Sequence, residues 1–465
     1  MENLLKEKIT KIKDWILFIL LFLWMALPIF QTLKPIYEVI PLVDCYFELM
    51  RVTGAVGIGI GIYMIYEKIR YSENKKETLK QLIPIFLFVL YMIWTLISCL
   101  SASSTYKAFY GTSYRREGYY RYLMYAGYFL CAFLLDSKKL RKIILNTFII
   151  GSLFLIIISR VTLSGTRYTD TFVNSSIETT VFGQFNHYCY YIMMTLICAL
   201  GLFLTEKNKV IKTLYAIAYA IITYAMIYND TFGCYLAVVG TLILYFIYAL
   251  IKKKDRIGIT IATIIFVILS IFTVKDGRNV AGANIEKFTT DINAVLQMFG
   301  ISTQTTHETT NESANESTNA ESVPKTELEI LNEFRAVGTQ RGELWHAAYS
   351  FIMRKPIIGY GADNMGEQYE NSSIWGKDRP HNLVLYLACV SGIPGMLLYM
   401  TAVVIIIVKG IIKLFKNSEE GKIALLVVVA YMFSSMFGNS MFYTSPFFFI
   451  FLGNLMNSNL SKKEE

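Results

Sequence analysis

Residues 81–100 read QLIPIFLFVLYMIWTLISCL, twenty positions without a charged side chain. A hydrocarbon core about 30 Å thick is crossed by roughly 20 mostly apolar residues in a helix, which satisfies its own backbone hydrogen bonds. The stretch is therefore predicted to span a membrane. Comparable runs occur at residues 14–33, 46–66, 119–135, 143–163, 187–204, 211–228, 232–251, 257–274, 383–408, 422–438 and 444–458, which brings the count to about twelve. Asp44, Glu48 and Arg51 share one helical face at the start of the second run, and the turns at Asn229-Asp230 and Asn439-Ser440 are the narrowest boundaries.

The whole chain agrees with this reading. Its 465 residues are 54% hydrophobic and 17% charged, where a soluble domain carries about 25% charge. The predicted fold class is an all-α polytopic membrane protein. Residues 1–274 hold the first nine spans, residues 275–382 form one large loop, and residues 383–465 hold the last three spans and a tail.

Basic residues in short loops mark the cytoplasmic side. Lys6, Lys8, Lys11 and Lys13 precede the first span, and alternate loops carry the clusters Lys68 to Lys80, Lys138 to Lys142, Lys207 to Lys212, Lys252 to Arg256, Lys409 to Lys422 and Lys462-Lys463. Both termini are thus expected in the cytoplasm and the large loop outside it. The net charge of +9 is read as this topology signal, answering anionic membrane lipids, and not as nucleic-acid binding. The first run is too long for a cleavable signal and is expected to remain as an anchor. Six of the seven cysteines, all but Cys45, fall in apolar runs, where thiols behave as small hydrophobes; their spacing fits neither a metal site nor a disulfide framework.

The large loop divides into three. Residues 276–300 suit a short helix ending near Phe299. Residues 302–326 are a Ser/Thr/Asn/Glu tract, including His307, without apolar periodicity, and such a tract is expected to be disordered. Residues 327–382 carry the chemistry. There Leu344, Trp345, Ala348, Phe351 and Ile352 recur at helical spacing, in a helix stopping before Pro356. Thr339 is expected to cap it, placing Arg341 in a first turn whose free amides and dipole favour an anion. Gly359 and Gly361 permit a tight turn before His381, which sits at the mouth of the tenth span.

Candidate site residues gather where outward loops meet spans. Arg341 suits bidentate phosphate binding, and His381 titrates near neutrality. Trp345 and Asn382 flank them. Arg115 and Arg116 stand in a short outer loop, against the charge bias, with Arg121 nearby as an interfacial residue. Arg167, Gly183, Asn186 and His187 lie in or next to another outward loop.

At this point RGELWHAAYSFIMRKPIIGYGADNM (341–365) and HNLVLYLACVSGIPGML (381–397) resemble the signature of the O-antigen ligase and O-antigen polymerase superfamily. GTSYRREGYYRYL (111–123) and FGQFNHYCYYIMM (182–194) resemble it more weakly. The resemblance implies a multi-span glycosyltransferase of the bacterial cytoplasmic membrane, acting in surface polysaccharide assembly without a cofactor, nucleotide sugar or metal. It would move a glycan from a polyprenyl-diphosphate donor to a hydroxyl on a glycan, lipid or protein acceptor, with inversion. Carried over by position, Arg341 would bind the donor diphosphate, and His381 would serve as acceptor base or diphosphate ligand, with Glu343 the alternative base. Trp345, Asn382, Asn186 and His187 would shape the pocket. Members often carry Ser-Arg-Gly near the start of the eighth span; here the stretch reads NDTFGCYLAV, with Phe232 where arginine is expected. Arg115, Arg116 or Arg167 would then supply the second cation. A lipid-linked oligosaccharide flippase or transporter, a cell-wall glycan polymerase of about ten spans, and a non-enzymatic membrane scaffold are the competing readings.

Overall fold

The computed structural model describes residues 2–30, 42–113, 115–163, 182, 184–275, 277–298, 337–338, 341–372, 374, 377–416, 418–419, 421–438 and 441–460. Arg167, Gly183, His307, Thr339, the 302–326 tract and the Asn439-Ser440 turn lie outside them.

Among the described residues each of the twelve apolar runs is helical over most of its length. In chain order the elements are α1 (Glu2–Phe30), α2 (Leu42–Arg70), α3 (Lys75–Gln81), α4 (Ile83–Leu100), α5 (Thr105–Tyr110), α6 (Tyr119–Leu134), α7 (Lys138–Leu163), α8 (Phe185–Thr205), α9 (Lys209–Asn229), α10 (Phe232–Lys252) and α11 (Arg256–Phe272). The strands β1 (Val274–Lys275) and β2 (Arg278–Asn279) pair antiparallel. Then follow α12 (Val280–Met298), α13 (Gly342–Arg354), α14 (Gly366–Asn371), α15 (Leu383–Phe415), α16 (Lys422–Ser434) and α17 (Ser445–Leu460). Among the described residues eight helices, α1, α2, α4, α7, α8, α9, α10 and α15, are long and apolar enough to cross a membrane. The protein is an all-α polytopic membrane protein.

A helix that is apolar all round is either buried in protein or set in a membrane, and α8 is buried in protein: every residue from His187 to Leu204 is inside. It packs on α9 and α16, while α6 packs on α2 and α17. The α2–α6 contact is close because α2 presents glycines. A Cβ on Gly54 would meet Met124 Cβ at 2.8 Å, and one on Gly57 would meet the Gly127 oxygen at 2.8 Å. Small residues are how helices in lipid, without a hydrophobic drive between them, gain van der Waals contact. The peripheral helices α4, α9, α10, α11 and α15 carry exposed Ile, Leu, Val and Phe, which only an apolar surrounding covers at low free energy.

The feature that positions the site is a break in α15. Its 33 residues include Gly392, at φ 69° and ψ 174°, followed by Pro394. The break frees carbonyls that would be costly in an apolar medium, and the glycine turn predicted at residues 359–361 answers them. Tyr360 and Gly361 N–H donate to the Cys389 and Val390 oxygens, each at 2.9 Å, and Ile393 N–H donates to the Pro356 oxygen at 2.7 Å. Trp94 Nε1 of α4 donates to the Ser391 oxygen at 3.0 Å and to that of Ile357 at 3.2 Å. The loop after α13 is thereby stitched into the bundle.

Candidate functional site

The loop segments 111–118 and 355–382 meet at one end of the bundle through a network of buried charge. Arg379, 1% exposed, donates from Nη1 to Glu117 Oε2 at 3.0 Å and from Nη2 to Asp363 Oδ1 at 2.8 Å. Its guanidinium carbon lies 4.6 Å from the centre of the Tyr386 ring. Tyr125 donates to the other Glu117 oxygen at 2.6 Å, and the Thr112 backbone and hydroxyl donate to Asp363 Oδ2 at 2.6 and 3.0 Å. Arg115 forks onto Asp378, Nε to Oδ2 at 2.6 Å and Nη2 to Oδ1 at 2.8 Å. Burial works to raise the Asp378 carboxyl, but the bonded Arg115 and the nearby Arg379 outweigh it and hold the group below the usual range.

Beside this network stand the residues the loop motifs single out. Gly342 begins α13, so Arg341 occupies the N-cap position rather than the first turn, and its side chain does not cap the helix. Among the described residues its buried Nη1 meets no hydrogen-bond partner. Burial lowers its pKa below the ordinary arginine value, as expected for a cation removed from water, with Tyr190, Asp291 and Cys234 opposing weakly. Trp345 Nε1 is also buried without an acceptor among the described residues. His381 has φ 53°, a left-handed backbone that costs a non-glycine residue roughly 1–2 kcal/mol. It sits between Pro380 and Asn382, the latter capping α15 through Oδ1, which accepts from Leu385 N–H at 3.1 Å, while Nδ2 donates to the Met436 oxygen at 3.1 Å. Burial first, then the cations Arg341 and Arg115, push the His381 imidazole down to about 3. At neutral pH it is uncharged.

The other candidates are placed elsewhere or otherwise engaged. Arg116 and Arg121 stack over the same Phe47 ring, 4.4 and 3.9 Å from its centre, and Arg116 Nε donates to the Ser113 oxygen at 3.2 Å. Glu343 faces a crevice of about 220 Å³ together with His346, Ser350 and Arg354; neither Arg341 nor His381 lines it. His187 is buried, with Nδ1 3.1 Å from the Phe182 oxygen and its ring against Tyr443. Asn186 Oδ1 accepts from Thr231 at 3.1 Å, in the turn before α10 where Phe232 is buried.

Four residues of the network, Glu117, Asp363, Asp378 and Arg379, were not singled out by sequence. Their signal was charge abutting apolar runs, in RREG and DRPH, but partners up to 263 positions apart are not legible in one chain.

Chemically, the end of the bundle combines an arginine without a carboxylate partner among the described residues, a helix N-terminus and a neutral imidazole, braced by paired charges. That is equipment for holding an anion beside a proton acceptor. No curated protein matches the chain. Residues 216–400, from within α9 through the first half of α15, match the family described as O-antigen ligase. The matched region contains Arg341, His381 and the break in α15, so this part of the chain is similar to the O-antigen ligase family.

Proposed function

We propose that the protein is a glycosyltransferase of surface polysaccharide assembly. It moves a glycan from a polyprenyl-diphosphate donor to an acceptor hydroxyl on the outer face of a bacterial cytoplasmic membrane. In this reading the twelve apolar helices all cross, both termini are cytoplasmic and the charged end of the bundle faces outward. The observation that carries it is the contrast between the arginines. Arg115 and Arg379 are bound to carboxylates, whereas the partly buried Arg341 has no ion pair among the described residues, at the N-terminus of a 13-residue helix.

The chemistry follows from the leaving group. The acceptor oxygen attacks the anomeric carbon as the bond to the diphosphate oxygen breaks, and the electron pair leaves with the diphosphate. Negative charge grows where Arg341 and the first α13 amides stand, and fixed donors stabilise it best in a water-poor site. The acceptor proton passes to neutral His381, a general-base contribution of roughly 10²- to 10⁴-fold. One direct displacement inverts the sugar carbon, with the stabilising charge assigned to Arg341 and not to a metal. Glu343 is the less favoured base because it opens to a crevice that lacks both residues. Arg115 and Arg379 are assigned to positioning, since their charges are already paired.

The test is the length distribution of surface and lipid-linked glycan in cells carrying Arg341→Ala or His381→Ala at normal protein level. Accumulated single repeat units mean a polymerase, the outcome we favour. Long lipid-linked chains left unattached mean a ligase. Unchanged glycan sinks the enzymatic reading.

A further inference from the structure

We infer that an apolar slot between α10 and α11, roofed by the start of α12, receives the isoprenoid chain of the donor whose diphosphate Arg341 holds; the inference rests on the glycosyl-transfer reading and names where the lipid part goes. The slot has a volume of about 540 Å³, and its walls include Val239, Ile243, Phe246, Phe266 and Val267. It reaches from Tyr235 to Ile247 along α10, roughly 18 Å at 1.5 Å per residue, so it runs down the bundle side toward mid-membrane. Of its lining residues, Tyr235, Thr263 and Ser270 carry hydroxyls and none is charged.

Its mouth adjoins the cation. Cys234, next to slot residue Tyr235, is within electrostatic reach of Arg341, as is Asp291 of α12. The link is also steric: Gly338 N–H donates to Asp291 at 2.9 Å, and a Cβ on Gly338 would meet Arg341 Cβ at 3.5 Å. The two elements that frame the mouth, α10 and α12, therefore flank Arg341, the arginine assigned to the diphosphate. Ile285, a slot residue, begins an exposed stripe with Phe288, Ile292 and Val295 on one face of α12. This spacing of three, four and three residues suits a helix lying in a membrane interface. Asn284 and Lys287 hold α12 to Asp230 at the α9–α10 turn, at 3.3 and 3.5 Å.

A second apolar cavity lies among α2, α4, α6, α15 and α17 and measures about 230 Å³. Its upper residues, Tyr119 and Tyr122, adjoin Glu117 and Arg379, whose charges are already paired, whereas the α10–α11 slot lies toward Arg341, which has no ion pair among the described residues. Charge complementarity therefore selects the α10–α11 slot.

The test uses the purified full-length protein and a polyprenyl diphosphate bearing a photoreactive group in its chain. Label is expected on slot residues of α10 and α11 and should survive excess phospholipid. Labelling spread over all lipid-facing helices, or erased by phospholipid, overturns the inference. In parallel, transfer is measured from two donors that share a head but carry a long or a short chain. Val267→Trp, and separately Val239→Trp, should raise KM for the long-chain donor about tenfold while leaving kcat and the short-chain KM unchanged; an unchanged long-chain KM in both folded variants contradicts it. Slot labelling without any transfer by the wild type keeps the slot and rejects the glycosyltransferase reading. Transfer with label elsewhere does the reverse.

Discussion

Arg115 and Asp378 are joined by two parallel hydrogen bonds of 2.6 and 2.8 Å, so the loop before α6 grips the loop that ends in His381, three residues beyond the aspartate. The consequence is that one arginine of the RR pair serves as a brace. Arg115→Ala should lower thermal stability by roughly 1–3 kcal/mol, the range for hydrogen bonds to charged groups, and reduce transfer as His381 loses its footing. Asp378→Asn, which keeps one acceptor, should lose less. Thermal unfolding of the detergent-solubilised variants checks both.

Arg379 is the deeper brace, with side chains 1%, 0% and 3% exposed for itself, Glu117 and Asp363. Removing one partner of a buried pair leaves an uncompensated charge, at about 3–5 kcal/mol. Glu117→Leu and Arg379→Leu are each expected to cut the folded yield sharply, read by size-exclusion profiles. Arg379→Leu should be the more damaging, because it strands both Glu117 and Asp363, whereas Glu117→Leu leaves Arg379 paired with Asp363.

The acid response should report His381. Its folded pKa of about 3 lies below the ordinary value near 6.5. The folded protein thus refuses a proton that the unfolded chain accepts. Its contribution is intact above pH of about 6.5 and is lost as pH falls from there toward 3, by at most about 1.4 kcal/mol per unit. Arg341, Arg115 and Lys377 push in this direction and Asp378 opposes them. His381→Gln should therefore lose less Tm than the wild type between pH 7.5 and 4.5. An equal loss in the two proteins contradicts the assignment.

Gly392→Ala tests the broken helix. A Cβ there would stand 2.0 Å from the Ile357 oxygen at a φ of 69°, so the turn at residues 356–361 must separate from α15. We expect a loss of at least 1–3 kcal/mol and of transfer activity, whereas Gly59→Ala on α2, where a Cβ meets nothing within 4 Å, should be neutral.

The helices were legible because twenty uncharged residues leave little choice in a membrane, and among the described residues each apolar run is helical over most of its length. The break inside α15 was written in Ser391-Gly392-Ile393-Pro394, yet the 383–408 run reads as one uninterrupted span because hydropathy does not register φ. The start of α13 lies two positions beyond the one expected from a cap at Thr339, which moves Arg341 from the first turn to the N-cap position. In the candidate site, Arg341 and His381 could be singled out from local motif chemistry. Which arginines are already paired could not, since Arg115–Asp378 and Arg379–Glu117 are long-range contacts fixed only by packing.

The most direct test is the affinity of purified protein for a polyprenyl diphosphate, compared between wild type and Arg341→Ala, with Arg341→Lys alongside. The account predicts a loss of about 10-fold to 150-fold for alanine, the effect of one charge-assisted contact of roughly 1.5–3 kcal/mol, with partial retention for lysine and unchanged Tm in both. Wild-type affinity in a folded Arg341→Ala protein would contradict it, and the diphosphate would then have to be held elsewhere.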